Sequence, residues 1–446
     1  MSMSLLGACA PRSLPVNTAP LSSGISRANV SHFNARFTQQ SDSQHSDDNF
    51  TQYMRKKIRD EGFQETRDPE PILGTPVQAL PPATGTKALT YMTYEALDND
   101  LSEDLNRIVD TLEVVGSTPQ MNLIAQTDNH GAGNAARYFF QRDELGKIGS
   151  PYVAIGNQGE NSGDPQVLKN AVRWGFNSYP SRYKWLNISS HGMGFSGINY
   201  DDSPEQSMTI MQFNQALKAG LGGKKLDLVS FDACLMATVE VASELQDTSK
   251  ILIGSEDSTY YWGYGYYKTF SRLAQNTAAM NPAQVARSLV VDVHDKGSSH
   301  QAYTISATDL TKISALERAL DRLARALRQA LPEHQNEILR AVQATREFHM
   351  AEGIPYRDIN RMLALLKRHV KVPEVAAAAD QINDIMYRKG VILFARQSKI
   401  QQGEGRGLSI YLPSEGHVSK AYRQTRFARA TQWDEFLVEL NQAIAG

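Results

Sequence analysis

The feature that most constrains this chain is an alternation. From residue 88 onward, short β-rich runs are separated by helical stretches. The runs 88–94, 121–126, 183–189, 226–231 and 251–254 read as strands. Residues 102–115 and 165–177 read as helices, the second with Val167, Leu168, Val172 and Phe176 at helical spacing. Strands spaced by helices predict right-handed βαβ units, hence an α/β fold with a mainly parallel sheet flanked by helices. Beyond residue 305 the pattern turns helical, at 313–331, 333–349, 356–370, 373–387 and 432–444, with Pro332 breaking the first stretch from the second. Two late runs, 391–395 and 408–412, are expected to return to the same sheet or to form a small second one. The chain thus divides into a leader (1–85), a core (86–305) and a helix-rich C-terminal portion (306–446) that returns strands to the core.

The leader is built of Ser, Asn, Gln, Asp and Pro and closes on Pro81-Pro82. That composition predicts disorder, with one short helix near 49–60. It suits a linker, an export signal or a removable segment. The stretch Ser4 to Cys9 faintly resembles a lipoprotein box, but no basic residue precedes it and its apolar run is far too short for a signal peptide. Lys and Arg number 46 against 48 Asp and Glu, a net charge of −2. No single-sign field follows, so neither nucleic acid nor an anionic membrane is expected as a partner. No apolar run approaches the roughly 18 residues of a membrane span.

Open parallel sheets bind ligands beyond the carboxyl ends of their strands. Two strands here end in reactive residues. One runs into Ser190-His191-Gly192-Met193-Gly194, the next into Asp232-Ala233-Cys234-Leu235-Met236. If these strands are neighbours, His191 and Cys234 emerge on one edge. A thiol with pKa near 8.5 is only partly ionised at neutral pH. An imidazole beside it can take its proton and later protonate a leaving amine. Attack on an amide creates an oxyanion, for which the backbone N–H groups of Gly192 and Cys234 are the candidate donors. A helix expected from Met236 to Leu245 would set its N-terminus beside the sulfur and favour the thiolate. The only other cysteine, Cys9, lies in the leader, so a stabilising disulfide is not expected. Asp232, Glu256 and Asp257 are carboxylates near the nucleophile that could pair with a basic substrate side chain. Asp98 and Asp100 could bind calcium, but fixing a turn and capping the helix that follows is the preferred reading.

The segment from Phe231 to Ala242, FDACLMATVEVA, closely resembles the nucleophile motif of clostripain-family cysteine peptidases. Weaker matches occur in order around it: 94–106, Ser189 to Phe195, Gly254-Ser255-Glu256-Asp257, and Gly407 to Pro413. The resemblance covers about residues 87–415. It implies a caspase-like fold and a Cys–His dyad at Cys234 and His191. It also implies peptide or protein substrates cut after Arg or Lys, with Asp232 as the pocket acid and Asp257 or Glu256 as a second. No cofactor is implied; calcium dependence varies in the family and its ligands stay unassigned. Two departures bear on specificity. Phe195 stands where family members often carry Trp, and the segment 258–266 is unusually aromatic and could narrow the groove. Alternative readings are a catalytically inactive binding protein on the same fold, or a transamidase. A polar leader suits a bacterial cytoplasmic enzyme and equally one exported without a standard signal peptide.

Overall fold

A computed structural model of the chain describes residues 72–445, save residue 132 and the segments 157–159, 260–263, 265, 277–279, 298–302, 349–353, 399–403 and 415–417. The expected disorder and helix of the leader before residue 72, the pairing state of Cys9 and most of the aromatic segment 258–266 lie outside the described residues.

The strands in chain order are β1 (Thr75–Pro76), β2 (Lys87–Leu97), β3 (Met121–Asn129), β4 (Ala135–Phe139), β5 (Pro151–Ile155), β6 (Ser181–Ser189), β7 (Ile198–Asp201), β8 (Gln206–Met208), β9 (Leu226–Asp232), β10 (Ser249–Gly254), β11 (Thr304–Asp309), β12 (Tyr356–Asp358), β13 (Ile392–Gln397) and β14 (Ser409–Tyr411). Ten of them form one sheet in the order β1-β5-β4-β3-β2-β6-β9-β10-β11-β13. Its centre, β3-β2-β6-β9-β10, is parallel throughout. Antiparallel strands close both flanks: β4 and β5 on one side, β11 and β13 on the other. The central strands are buried on both faces, which is why they read in sequence as continuous apolar runs rather than alternating ones.

Helices cover both faces. Their ranges are α1 (Leu105–Glu113), α2 (Pro165–Ser178), α3 (Ile210–Gly220), α4 (Val239–Leu245), α5 (Tyr266–Gln275), α6 (Pro282–Gly297), α7 (Ile313–Ala344), α8 (Ile359–His369), α9 (Pro373–Asn383), α10 (Arg426–Ala430) and α11 (Trp433–Ala445). Residues of α1, α5 and α6 pack with Tyr91, Leu123, Trp185 and Ile253 on one face. The other eight helices pack with Met92, Ile124, Leu186, Val229 and Leu252 on the opposite face. Among the described residues no helix is long and apolar enough to cross a membrane.

Several expectations change. Strand pairing begins inside the expected leader: Thr75–Pro76 pair in parallel with Pro151–Tyr152 at the sheet edge. The break expected at Pro332 is present as a kink that joins two helical stretches. α7 runs on to Ala344 with its backbone leaving helical geometry at His334 (φ −126°). The helix expected over 356–370 is split, because Tyr356–Asp358 pairs with β14 in a two-stranded sheet and α8 starts only at Ile359. The two late strands therefore part company: β13 joins the main sheet and β14 does not.

Candidate active site

β6 and β9 are adjacent and parallel, with Ser189 opposite Asp232. His191 and Cys234 each lie two residues beyond that pair, so the register carries them to one level at the carboxyl edge. The backbones are close there. A Cβ on Gly192 would sit 2.8 Å from the Cys234 carbonyl oxygen and 3.1 Å from the Ala233 Cβ. Only glycine fits between the two strand ends. Leu235, directly after the sulfur, adopts φ +61°, a conformation a branched side chain rarely takes. Its N–H donates to the Asp257 carbonyl at 3.2 Å, which ties the nucleophile turn to the end of β10.

The helix thought to favour the thiolate begins later than expected. α4 starts at Val239, capped by Thr238, five residues past Cys234. The donor at the sulfur is instead the Thr259 N–H, 3.3 Å from Sγ, with Thr259 Oγ1 at 3.7 Å. The sequence gives no local sign of this contact, since Thr259 lies 25 residues on and reaches back from the next strand end.

His191 is nearly inaccessible, with its side chain 2% exposed, and its Nε2 lies 2.5 Å from Asp100 Oδ1. Asp98, two residues earlier, faces His130 Nδ1 at 3.2 Å. Neither aspartate caps the helix that follows, whose start carries no side-chain cap. The turn is fixed by Asn99 instead. Among the described residues no group of three carboxylates, imidazoles or thiols is arranged to hold a metal ion.

The three acids behave differently. Asp232 is buried at the end of β9, and its Oδ2 accepts the Tyr264 N–H at 2.8 Å and faces the Tyr266 hydroxyl at 3.4 Å. Asp257 is committed within the protein: Oδ2 is 3.0 Å from Arg346 Nη2, with the carboxylate 2% exposed. Glu256 is buried too. Its Oε2 accepts the Gly407 N–H at 2.9 Å, and burial together with the Asp358 carboxylate pushes it well above the usual range. Glu256, like Asp257, is thus bonded within the protein. Glu95 was not singled out from the sequence. It stands level with Ser189, two strands from Asp232, and burial raises it to about 7. A buried polar chain reaches it, from Trp185 Nε1 to Ser230 Oγ (2.8 Å), to Asn187 (2.6 Å), to Thr93 (3.1 Å) and on to Glu95.

A mainly parallel sheet with helices on both faces, with His191 and Cys234 just beyond neighbouring strand ends, is a caspase-like arrangement. The sequence profile of the clostripain family matches residues 90–440, and the chain belongs to that family of cysteine peptidases. Clostripain of Hathewaya histolytica is 23% identical over 414 residues, spanning 77% of this chain and 78% of that protein. Two solved structures share the fold. A secreted C11 cysteine protease from Bacteroides thetaiotaomicron, bound to an irreversible peptide inhibitor, superposes with a TM-score of 0.58 at 21% identity, covering 78% of this chain and 100% of that one. An inactive zymogen C11 protease from Parabacteroides distasonis gives 0.58 at 17% identity, covering 78% and 99%.

Proposed function

We propose that this peptidase is an endopeptidase that works through a Cys234–His191 dyad and cleaves after a basic residue. The observation that carries the dyad is the register: Ser189 opposite Asp232 sets His191 and Cys234 at one level on adjacent strands. In this reading the imidazole takes the thiol proton and the sulfur attacks the scissile carbonyl carbon. The Gly192 and Cys234 N–H groups hold the oxyanion, and the imidazolium returns its proton to the departing amine. Water then hydrolyses the thioester. The basic preference rests on Asp232 alone, a buried carboxylate two residues before the nucleophile. A guanidinium or ammonium would add a charged partner to the hydrogen bonds that Asp232 already accepts from Tyr264 and Tyr266, which a neutral side chain cannot do.

The test is hydrolysis of fluorogenic peptides ending in Arg, Lys, Asp or Asn. Arg and Lys substrates are expected to be cut, and Cys234→Ala to abolish the cut. Asp232→Asn is expected to lower kcat/KM for Arg peptides by about 10- to 100-fold, as loss of a charged partner does. Turnover that survives Cys234→Ala refutes the dyad. Arg cleavage unchanged by Asp232→Asn refutes the pocket.

A further inference from the structure

The dyad leaves open what holds the imidazole. The geometry points to Asp100: we propose that it is the positioning residue of the site, fixing the tautomer and orientation of His191. This rests on the dyad reading above.

The contact is short and sheltered. Asp100 Oδ1 lies 2.5 Å from His191 Nε2, with the two side chains 14% and 2% exposed. A carboxylate accepts hydrogen bonds and donates none, so Nε2 carries the proton of the neutral ring. Nδ1 is then the lone-pair nitrogen, the one that can receive the proton of the Cys234 thiol. On transfer the S–H bond breaks, an Nδ1–H bond forms and the ring becomes an imidazolium. The charge it gains faces a carboxylate in a site nearly closed to water, where a charge-assisted bond is strongest. The Nε2 proton stays in place throughout, and Nδ1 later passes its proton to the leaving amine.

The position of Asp100 is built rather than incidental. Asn99, fully buried, donates from Nδ2 to the carbonyls of Ala96 (3.1 Å) and Tyr200 (2.8 Å) and accepts the Leu101 N–H at Oδ1 (3.0 Å). The Asp202 N–H donates to the Asp98 carbonyl at 2.7 Å. Tyr200 belongs to β7, which pairs with β8 in a small ribbon. Ile198 of the same strand bridges Gly192, and Met193 N–H donates to the Gly197 carbonyl at 2.9 Å. One ribbon therefore clamps the Asp100 turn and the His191 loop against each other. Asp98 is no substitute, because its carboxylate faces His130 at the end of β3.

The experiment uses the full chain and the fluorogenic Arg peptide, with Asp100→Asn and Asp100→Ser beside Cys234→Ala and His191→Ala, and records melting midpoints for all. Asp100→Asn is expected to lower kcat by about 10²- to 10⁴-fold, because an amide can donate to Nε2 and leave the proton on the wrong nitrogen. KM is expected within about 3-fold of the parent and the melting midpoint within a few degrees. A merely structural salt bridge would move the midpoint and KM and leave the kcat of the folded fraction intact. If either folded Asp100 variant keeps parental kcat while Cys234→Ala and His191→Ala are inactive, the positioning role is wrong and the dyad stands. If Cys234→Ala or His191→Ala retains activity, the dyad itself has failed. Should Asp100→Asn not fold, Asp100→Ser decides by the same criterion.

Discussion

At the scale of single residues, the site depends on how closely two strand ends approach. Gly192 does not need a left-handed backbone; it needs the missing Cβ. An added methyl would lie 2.8 Å from the Cys234 carbonyl, 2.9 Å from Met236 Sδ and 3.1 Å from Ala233 Cβ. The thioether can turn aside, but the carbonyl cannot move without shifting the nucleophile. Gly192→Ala is therefore expected to lower stability by about 1–3 kcal/mol, the usual cost of overpacking. It is also expected to lower kcat by at least about 10-fold, since His191 is displaced relative to Cys234. Thermal melting together with steady-state kinetics checks both. Parental values of the two would mean that the strand ends are looser than the geometry states.

At the scale of elements, the nucleophile motif continues into α4, and the role of that helix is anchorage. Glu240 is fully buried; its Oε1 accepts the Tyr411 N–H of β14 at 2.9 Å, and the Ser409 N–H donates to the Ala237 carbonyl at 3.0 Å. Burial holds the Glu240 carboxyl at about 7. Its folded pKa is thus raised above the unfolded value of 4.5. Below that unfolded value the group is protonated in both states and costs nothing. Between 4.5 and about 7 it ionises only when unfolded, so the fold loses stability as pH rises through that window and levels off above it. The gap corresponds to roughly 3 kcal/mol. Glu240→Gln keeps the acceptor and removes the ionisation. It is expected to raise the melting midpoint at pH 8 by several degrees and to change it little at pH 4. An equal gain at both pH values would show that ionisation of Glu240 is not what burial opposes.

At the scale of the molecule, the C-terminal portion and the core share one interior. The apolar cluster that holds Cys234 and Met236 also holds Leu316 of α7, Leu363 of α8 and Trp433 of α11. Tyr356 sits against the histidine loop: its hydroxyl accepts the Phe195 N–H at 3.1 Å, and Gly194 (φ +59°) has no room for a Cβ against it. Phe195 itself packs edge-on to Tyr356, Tyr411 and Tyr422. Arg346 reaches back to Asp257, and the Gly407 N–H to Glu256. Removing residues 306–446 would expose that apolar face and strip the sheet of β13 and most of β11. The fragment 86–305 is therefore expected to show no cooperative melting transition and to be digested by trypsin far faster than the full chain. A cooperatively melting, protease-resistant fragment would mean that the core is self-sufficient.

The sequence by itself determined the layered α/β plan, the central strands and the position of His191 and Cys234 just past two strand ends. Each of these is local: a strand buried on both faces writes a continuous apolar run, and a strand end carrying His-Gly or Asp-Ala-Cys is read in place. The antiparallel strands β4, β5 and β11 were not read from the sequence, whereas β13, antiparallel too, was. The sequence also sorted the acids poorly. Asp232, Glu256 and Asp257 are alike as letters near a nucleophile. All three are bonded within the protein, Asp232 to Tyr264 and Tyr266, Asp257 to Arg346 and Glu256 to Gly407, and the last two partners return from more than eighty residues away. Asp100 and Thr259 are the converse case. Nothing in their own neighbourhoods connects them to His191 and Cys234, and tertiary structure alone brings them there, because a parallel sheet aligns the ends of strands that are distant in the chain.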